Sequence, residues 1–323
     1  MFAITYRKLF LRIAATVVAI SILLIGGLGL NLGIDFTGGS LTEVAYETAP
    51  EKSELETLVA NKNWEGGYSV RESIDDAGRS AFFIRTKDLT ETEREALSAE
   101  VTNIGEGGEI TRFTSIGPVI GQELKDKAGW AIAGVVLIIV IYVAFAFAGI
   151  GTPVSSWTYG GITILVLIHD VLVPTALMSV LGYFLGVEVD VLFVMALLAV
   201  LGYSVNDTIV VFDRVRENLI QNRTEHKKKQ AAGTVREEFE YRLTKPYEEI
   251  VGSAVQETLA RSINTSITTL LALTVLYFLG GSVTQTFALV LFAGVLAGTY
   301  SSICIASPLV VSYAKWQEAK NSK

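Results

Sequence analysis

Two acids interrupt long apolar runs of this chain: Asp170 in LVLIHDVLVP and Asp207 in LAVLGYSVNDTIVV. A charged side chain at the centre of a bilayer costs about 2.5–3.5 kcal/mol on insertion scales, so an intramembrane acid pairs with a cation, takes up a proton or faces a wet cavity. Both positions therefore point to a proton or ion path. His169 precedes Asp170. Adjacent helical side chains diverge by about 100°, which predicts that these two do not face one cavity squarely. Pro174 follows one turn later and permits a kink.

Tyr203, Asn206, Asp207 and Val210 fall along one helical face. Asp207 lies six residues before the charged exit at Asp213-Arg214, about 9 Å inside the membrane boundary. Arg261, Asn264, Thr265, Thr268 and Thr269 occupy i, i+3, i+4, i+7 and i+8, a polar stripe on the next helix. An arginine at that depth reaches an acid on a neighbouring helix. Pairing holds Asp207 ionised and rupture favours proton uptake, the alternation a proton-driven device needs. Two plainer readings stand beside it: Arg261 as an anchor snorkelling to the interface, and Asp207 as a structural, hydrogen-bonded acid. Asp170 and His169 carry the same functional and structural readings. Asp213 is expected to pair locally with Arg216 or Arg214. Gly294, Gly298, Ser301 and Ser302 read as close helix packing.

The elements that must position these groups are membrane spans. The chain of 323 residues is 50% hydrophobic and 18% charged, against about 25% charged in a soluble protein, and its mean hydropathy is +0.45. Six runs are long enough to span, 13–30, 129–149, 158–182, 190–211, 262–280 and 284–311. All 26 Lys and Arg lie between or beyond them. Arg7, Lys8 and Arg12 precede the first, Arg214, Arg216 and Arg223 follow the fourth, and Lys315 follows the sixth. By the positive-inside rule this puts both termini and the loop 212–261 in the cytoplasm. The first run exceeds the roughly 7–15 residues of a signal-peptide core, and Gly26-Gly27-Leu28-Gly29 is not a clean cleavage site, so it reads as a retained span. The expected division is 1–30 for the N-terminus and first helix, 31–127 for an external domain, 128–311 for five further helices and 312–323 for a cytoplasmic tail. A single cysteine, Cys304, excludes a disulfide within the chain and a cysteine-based metal site.

The external segment holds 19 acids against 10 basic residues, which speaks against nucleic-acid binding. It is a domain by size, and LTEVAYET within it alternates. LTEVAYET (41–48), YSVRES (68–73), AFFIRT (81–86) and EITRFTSI (109–116) read as strands. Helices are expected from Ser53 to about Asn61 and over 90–102, the latter opened by a Thr90/Glu93 capping box. The order β-α-β-β-α-β is that of a split βαβ, ferredoxin-like sandwich. The fold class is thus a membrane protein: an all-α bundle of six spans with one inserted α+β ferredoxin-like domain. Asp75-Asp76-Ala77-Gly78 and Gly105, Gly107 and Gly108 read as turns, and no catalytic constellation is visible in the domain.

Four strings, GIDFTGGS (33–40), IHDV (168–171), GYSVNDTIVVFDRVREN (202–218) and RSINTSITTL (261–270), closely resemble the SecF family, partners of SecD in the bacterial protein-export machinery. The resemblance spans the whole chain, and the VNDTIVVFDR string is highly specific. It implies a proton-driven protein of the resistance-nodulation-division superfamily in the bacterial cytoplasmic (inner) membrane. It further implies a complex with SecD, association with the SecYEG channel, SecA and YidC as further candidate neighbours, and help to preproteins late in translocation. The family's key acid falls on Asp207 and its key arginine on Arg261. A further essential acid lies on SecD, so the proton path is expected to form only at that interface. Gly33, Asp35, Gly38 and Gly39 carry the family motif after the first span. Asp170 completes the candidate relay, with Asn206, Thr265, Thr268, His169 and Asp213 as supporting polar groups. Two departures stand out. The link 219–255 is longer than the family's, with HKKKQ (226–230) and a charged tail expected to be helical through Glu249; anionic lipid, a cytosolic partner or plain solvent are its candidate surroundings. Ser262 also stands where the family leads one to expect Thr.

No enzyme activity, cofactor or metal is implied. A small-molecule efflux subunit of the same superfamily is the alternative, and the single external domain counts against it. A paired-carboxylate hydrolase needs Asp170 and Asp207 within a few ångström, which their different depths disfavour. A pure scaffold leaves the polar stripe unexplained.

Overall fold

The computed structural model describes residues 2–64, 67–75, 77–146, 153–227 and 239–321. A short helix α1 (Phe2–Thr5) leads into α2 (Arg7–Leu28), the first of six helices among the described residues that are long and apolar enough to cross a membrane. A single-turn helix α3 (Ile34–Thr37) opens a sheet domain of β1 (Gly39–Tyr46), α4 (Lys52–Ala60), β2 (Ser69–Ile74), β3 (Ser80–Thr86), α5 (Glu91–Ile104) and β4 (Glu109–Ile116). The chain then returns to the bundle through α6 (Pro118–Ala146), α7 (Ser156–Leu185) and α8 (Val191–Gln221). Strands β5 (Arg223–Lys227) and β6 (Phe239–Leu243) precede α9 (Tyr247–Leu279). The sixth span is α10 (Ser282–Ser301), a π-helical turn at Ser302–Ala306 and α11 (Ser307–Asn321).

The sheet is antiparallel in the order β2-β3-β1-β4, the ferredoxin-like arrangement expected from the element order. Val44 and Tyr46 of β1 and Phe82 and Ile84 of β3 bury against Leu55 and Val59 of α4 and Leu97 and Val101 of α5. Tyr46 donates its hydroxyl to the Val101 carbonyl at 2.6 Å, so the ring fills the core while its polar end stays satisfied. The capping box forms: the Thr90 side chain accepts from the Glu93 backbone, and the Glu93 carboxylate accepts from Thr90 N–H at 2.8 Å. The bond from Lys87, followed by those from Thr90, holds the exposed Glu93 carboxyl down to about 2.

The other sheet face docks on the bundle through charge. The Arg71 guanidinium lies 4.9 Å from the Phe83 ring centre, and Glu43 is buried 3.8 Å from Arg112. Arg85 donates to the Leu32 carbonyl (2.9 Å), the Thr37 hydroxyl (2.7 Å) and Glu188 (3.2 Å) in the turn between α7 and α8. Burial pushes the Glu188 carboxyl above its ordinary range, against the pull of Arg85 and Arg71. The motif after the first span completes this joint. Gly33 N–H donates to the Val189 carbonyl at 2.8 Å. Asp35 accepts from Val191 N–H at 2.8 Å, placing a carboxylate on the N-terminus of α8. Gly38 (φ 73°) and Gly39 (φ 123°) have left-handed backbones, and an added Cβ would lie 2.7 Å from Pro118 Cα and 2.5 Å from the Thr86 carbonyl oxygen. No other residue type meets both demands.

Three expectations change. The helix that opens the second span begins at Pro118, so the residues before the apolar run are already helical. α8 and α9 likewise run well past the apolar limits, to Gln221 and from Tyr247. The charged link is helical only from Tyr247 among its described residues: before that, β5 and β6 pair antiparallel, Arg223 opposite Leu243. Asp76 and residues 228–238, with Lys228, Lys229, Gln230 and most of the expected helical tail, lie outside the described residues.

Gly39→Ala is expected to cost about 2–4 kcal/mol through backbone strain and overlap, read as a lower Tm of the detergent-solubilised protein; an unchanged Tm would contradict the docking described. The Glu93 contribution should be complete above an ordinary glutamate value of about 4.3 and fade as pH falls towards about 2. Glu93→Gln should therefore flatten that part of the acid-unfolding curve followed by circular dichroism.

Candidate functional site

Asp207 is buried at 7% exposure, facing α9 and the sixth span. Its Oδ1 accepts from the Ser262 hydroxyl at 2.7 Å and its Oδ2 from the Ser302 hydroxyl at 2.9 Å. Tyr203, one turn earlier, reaches Ser266 at 3.3 Å. Asn206 diverges to the exposed surface, so the face expected to unite Tyr203, Asn206 and Asp207 splits between them.

Asp170 is fully buried. Its Oδ1 lies 2.8 Å from His169 Nδ1, and its Oδ2 accepts from Ser301 at 2.7 Å and from Ser204. His169 and Asp170, which leave the helix in different directions, nonetheless bond to each other. The divergence of about 100° applies to their Cα–Cβ directions, and the imidazole is long enough to turn its near nitrogen back to the neighbouring carboxylate. His169 Nε2 is buried with no hydrogen-bond partner among the described residues, beside the Tyr300 ring at 6.0 Å between centres. Pro174 sits within α7 without interrupting it, one turn beyond Asp170.

Arg261 and Asp207 do not pair. Ser262 faces Asp207, and the adjacent Arg261 is turned to the exposed side with Asn264, Thr265 and Thr268. Among the described residues no ion pair joins either group. Thr265 and Thr268 use their hydroxyls on backbone carbonyls of α9, at 2.9 and 2.8 Å. Asp213 is exposed and pairs with Arg216 at 4.0 Å, while Arg214 turns to Glu217 and Glu257.

The structure thus brings together two acid centres that share the sixth span, and sets the arginine stripe apart from both. Sequence reasoning missed the serines. Ser301 and Ser302 read as packing residues, and Ser262 as a mild departure. The usable signal was hydroxyls in apolar spans at the depth of an acid. The packing reading does hold for the glycines: an added Cβ at Gly298 would lie 3.1 Å from Ser204 Cβ, so α10 lies close on α8. Arg85 and Glu188 had no distinguishing signal, because their partners are far away in sequence.

Comparison with known proteins gives one consistent family. The family model described as protein export membrane protein SecD/SecF, C-terminal, matches residues 96–234 and 232–316, and that of the SecD/SecF GG motif matches 23–50. The protein translocase subunit SecF of Sebaldella termitidis is 33% identical over 301 residues, 91% of this chain and 87% of that protein. The SecDF subunit of Thermus thermophilus is 33% identical over 296 residues, 91% of this chain but 36% of its own length. A crystal structure of Thermus thermophilus SecDF, described as a translocon-associated membrane protein, superposes with TM-score 0.77 at 30% identity. It covers 97% of this chain, and the chain spans 38% of that longer one.

Asp170→Leu should strand the His169, Ser204 and Ser301 donors inside the bundle and cost about 3–5 kcal/mol, whereas Asp170→Asn, which keeps an acceptor, should cost less than half of that. Thermal unfolding in detergent checks both, and a leucine variant as stable as the native chain would refute the enclosed network.

Proposed function

The chain belongs to the SecD/SecF family of protein-export membrane proteins, and from that premise we propose that it works with SecD to couple the proton-motive force to late preprotein translocation through SecYEG. Its relatives are protein translocase subunits, and its six spans make it a multi-pass inner-membrane protein. Both termini lie in the cytoplasm in this reading, and the sheet domain outside binds or restrains the emerging polypeptide. SecA and YidC are candidate neighbours.

One observation carries the proposal. Among the described residues the buried Asp207 is held by two serine hydroxyls alone, while Arg261 and its polar stripe face outward. An acid without a fixed counter-charge is free to take up and release a proton. An arginine exposed at membrane depth calls for an acidic or polar partner from another chain. SecD would supply that surface, so the relay of Asp207 and Arg261, with Asp170 behind it, is complete only in the complex.

The test is preprotein translocation into vesicles holding SecD, SecYEG and this chain, with and without an imposed proton gradient. Asp207→Asn is expected to lower the gradient-dependent part at least about tenfold, with ATP-driven translocation and SecD assembly retained. Arg261→Gln should behave alike, and Arg261→Lys should recover part of the loss because it keeps the charge. Undiminished gradient-dependent export in Asp207→Asn would end the proposal.

A further inference from the structure

Ser301 and Ser302 are consecutive, and each touches a different intramembrane acid. Ser301 donates to Asp170 Oδ2 at 2.7 Å, and Ser302 to Asp207 Oδ2 at 2.9 Å. Each hydroxyl also has a second acceptor one turn back: the Gly298 carbonyl at 3.1 Å for Ser301 and the Thr299 carbonyl at 3.1 Å for Ser302. A hydroxyl has one hydrogen to give, so it serves one acceptor well at a time. Both serines are fully buried, and they stand where α10 passes into the π-helical turn Ser302–Ala306. Such turns carry one extra residue and are frequent at functional sites.

We propose that Ser301 and Ser302 form a two-position hydroxyl switch through which protonation of one intramembrane acid is felt at the other. The proposal rests on the proton-coupling reading and adds the positioning residues that link its two acids. With Asp207 ionised, Ser302 donates to the carboxylate. When Asp207 takes a proton from the aqueous phase, the carboxyl becomes a donor. Ser302 oxygen then accepts, and its own hydrogen turns to the Thr299 carbonyl. Ser301 has the same two positions at Asp170. Because the two residues are neighbours at the edge of one widened turn, a shift that suits Ser302 also moves Ser301.

Among the described residues the titratable groups in the bundle interior are few: Tyr159, His169 and Asp170 on α7, Tyr203 and Asp207 on α8, Tyr247 on α9, bonded to Tyr159 at 2.8 Å, Tyr300 on α10 and Cys304 in the π turn. Beyond Arg12, α2 has no ionisable residue. Arg261 and Asp213 are on the exposed side. Among the described residues no Lys or Arg stands between the acids, and the serines are the direct hydrogen-bonded link from the sixth span to both.

The experiment is an infrared pH titration of the reconstituted complex with SecD, with the carboxyl bands of Asp170 and Asp207 assigned by their loss in the asparagine variants. In the native complex, replacing either acid by asparagine should move the midpoint of the other by about one pH unit, a tenfold change in proton affinity. Ser301→Ala and Ser302→Ala should each remove at least half of that mutual shift, and Ser302→Thr, which keeps the hydroxyl, should preserve it. A mutual shift absent from the native complex, or unchanged in both alanine variants, overturns the switch. Gradient-dependent translocation measured on the same vesicles keeps the two ideas apart. Loss in Asp207→Asn with full activity and an unaltered pH profile in Ser302→Ala retains proton coupling and rejects the switch.

Discussion

A carboxylate enclosed in an apolar bundle must receive its hydrogen bonds from the protein, because no solvent is there to supply them. Much of the helix packing follows from that demand. Asp170 draws on its own neighbour His169, on Ser204 of α8 and on Ser301 of α10. Asp207 draws on Ser262 of α9 and on Ser302 of the π turn. Four spans must therefore approach closely enough for short hydroxyls to bridge them. Gly298, with no room for a Cβ without displacing Ser204, is where α10 comes close enough to α8 for this to happen. Long side chains at these positions would hold the helices apart and leave the acids unsatisfied.

The same helix that carries Asp207 is tied at its far end to the sheet domain. Asp35 accepts from the first N–H of α8, Gly33 bonds to Val189 just before it, and Arg85 reaches Glu188 in the same turn. α8 has 31 residues, a rod of about 46 Å, and Asp207 lies about 24 Å along it from that tie. The partly buried ion pair of Arg85 and Glu188 adds direction to the joint more than stability, since the desolvation it demands offsets much of its Coulomb gain. A helix gripped at one end by a domain and at mid-length by a buried, hydrogen-bonded acid is a lever in mechanical terms, since a displacement at either point is carried by backbone hydrogen bonds and not by a flexible loop.

Much of this was legible in the sequence because it depends on periodicity. The β-branched and aromatic run EITRFTSI reads as a strand with the bounds observed for β4, Glu109–Ile116, and the Thr90/Glu93 spacing gave the start of α5. Six apolar runs gave six spans. What was not legible depends on contacts between elements. Helical geometry separates His169 from Asp170 by direction but does not limit how far an imidazole turns back. Nothing near Arg85 in sequence announces the α7–α8 turn that it reaches. Ser262 and Arg261 are adjacent, and only the rotation of α9 decides which of them meets Asp207. The π turn at Ser302–Ala306 leaves no mark in composition.

That rotation bears on the chemistry. An arginine has donors and no acceptor, so an acid paired with it is satisfied in the ionised form alone. A serine hydroxyl donates to a carboxylate and accepts from a carboxyl, so it satisfies both forms. With Ser262 and Ser302 as its partners, Asp207 can change its protonation state without leaving a buried group unpaired. The cation is kept one residue away, on the exposed face, where a second chain can reach it. Under the proposed function this division has a consequence. The charge that would fix Asp207 in one state is made conditional on the partner, so proton uptake becomes sensitive to how the two subunits sit against each other.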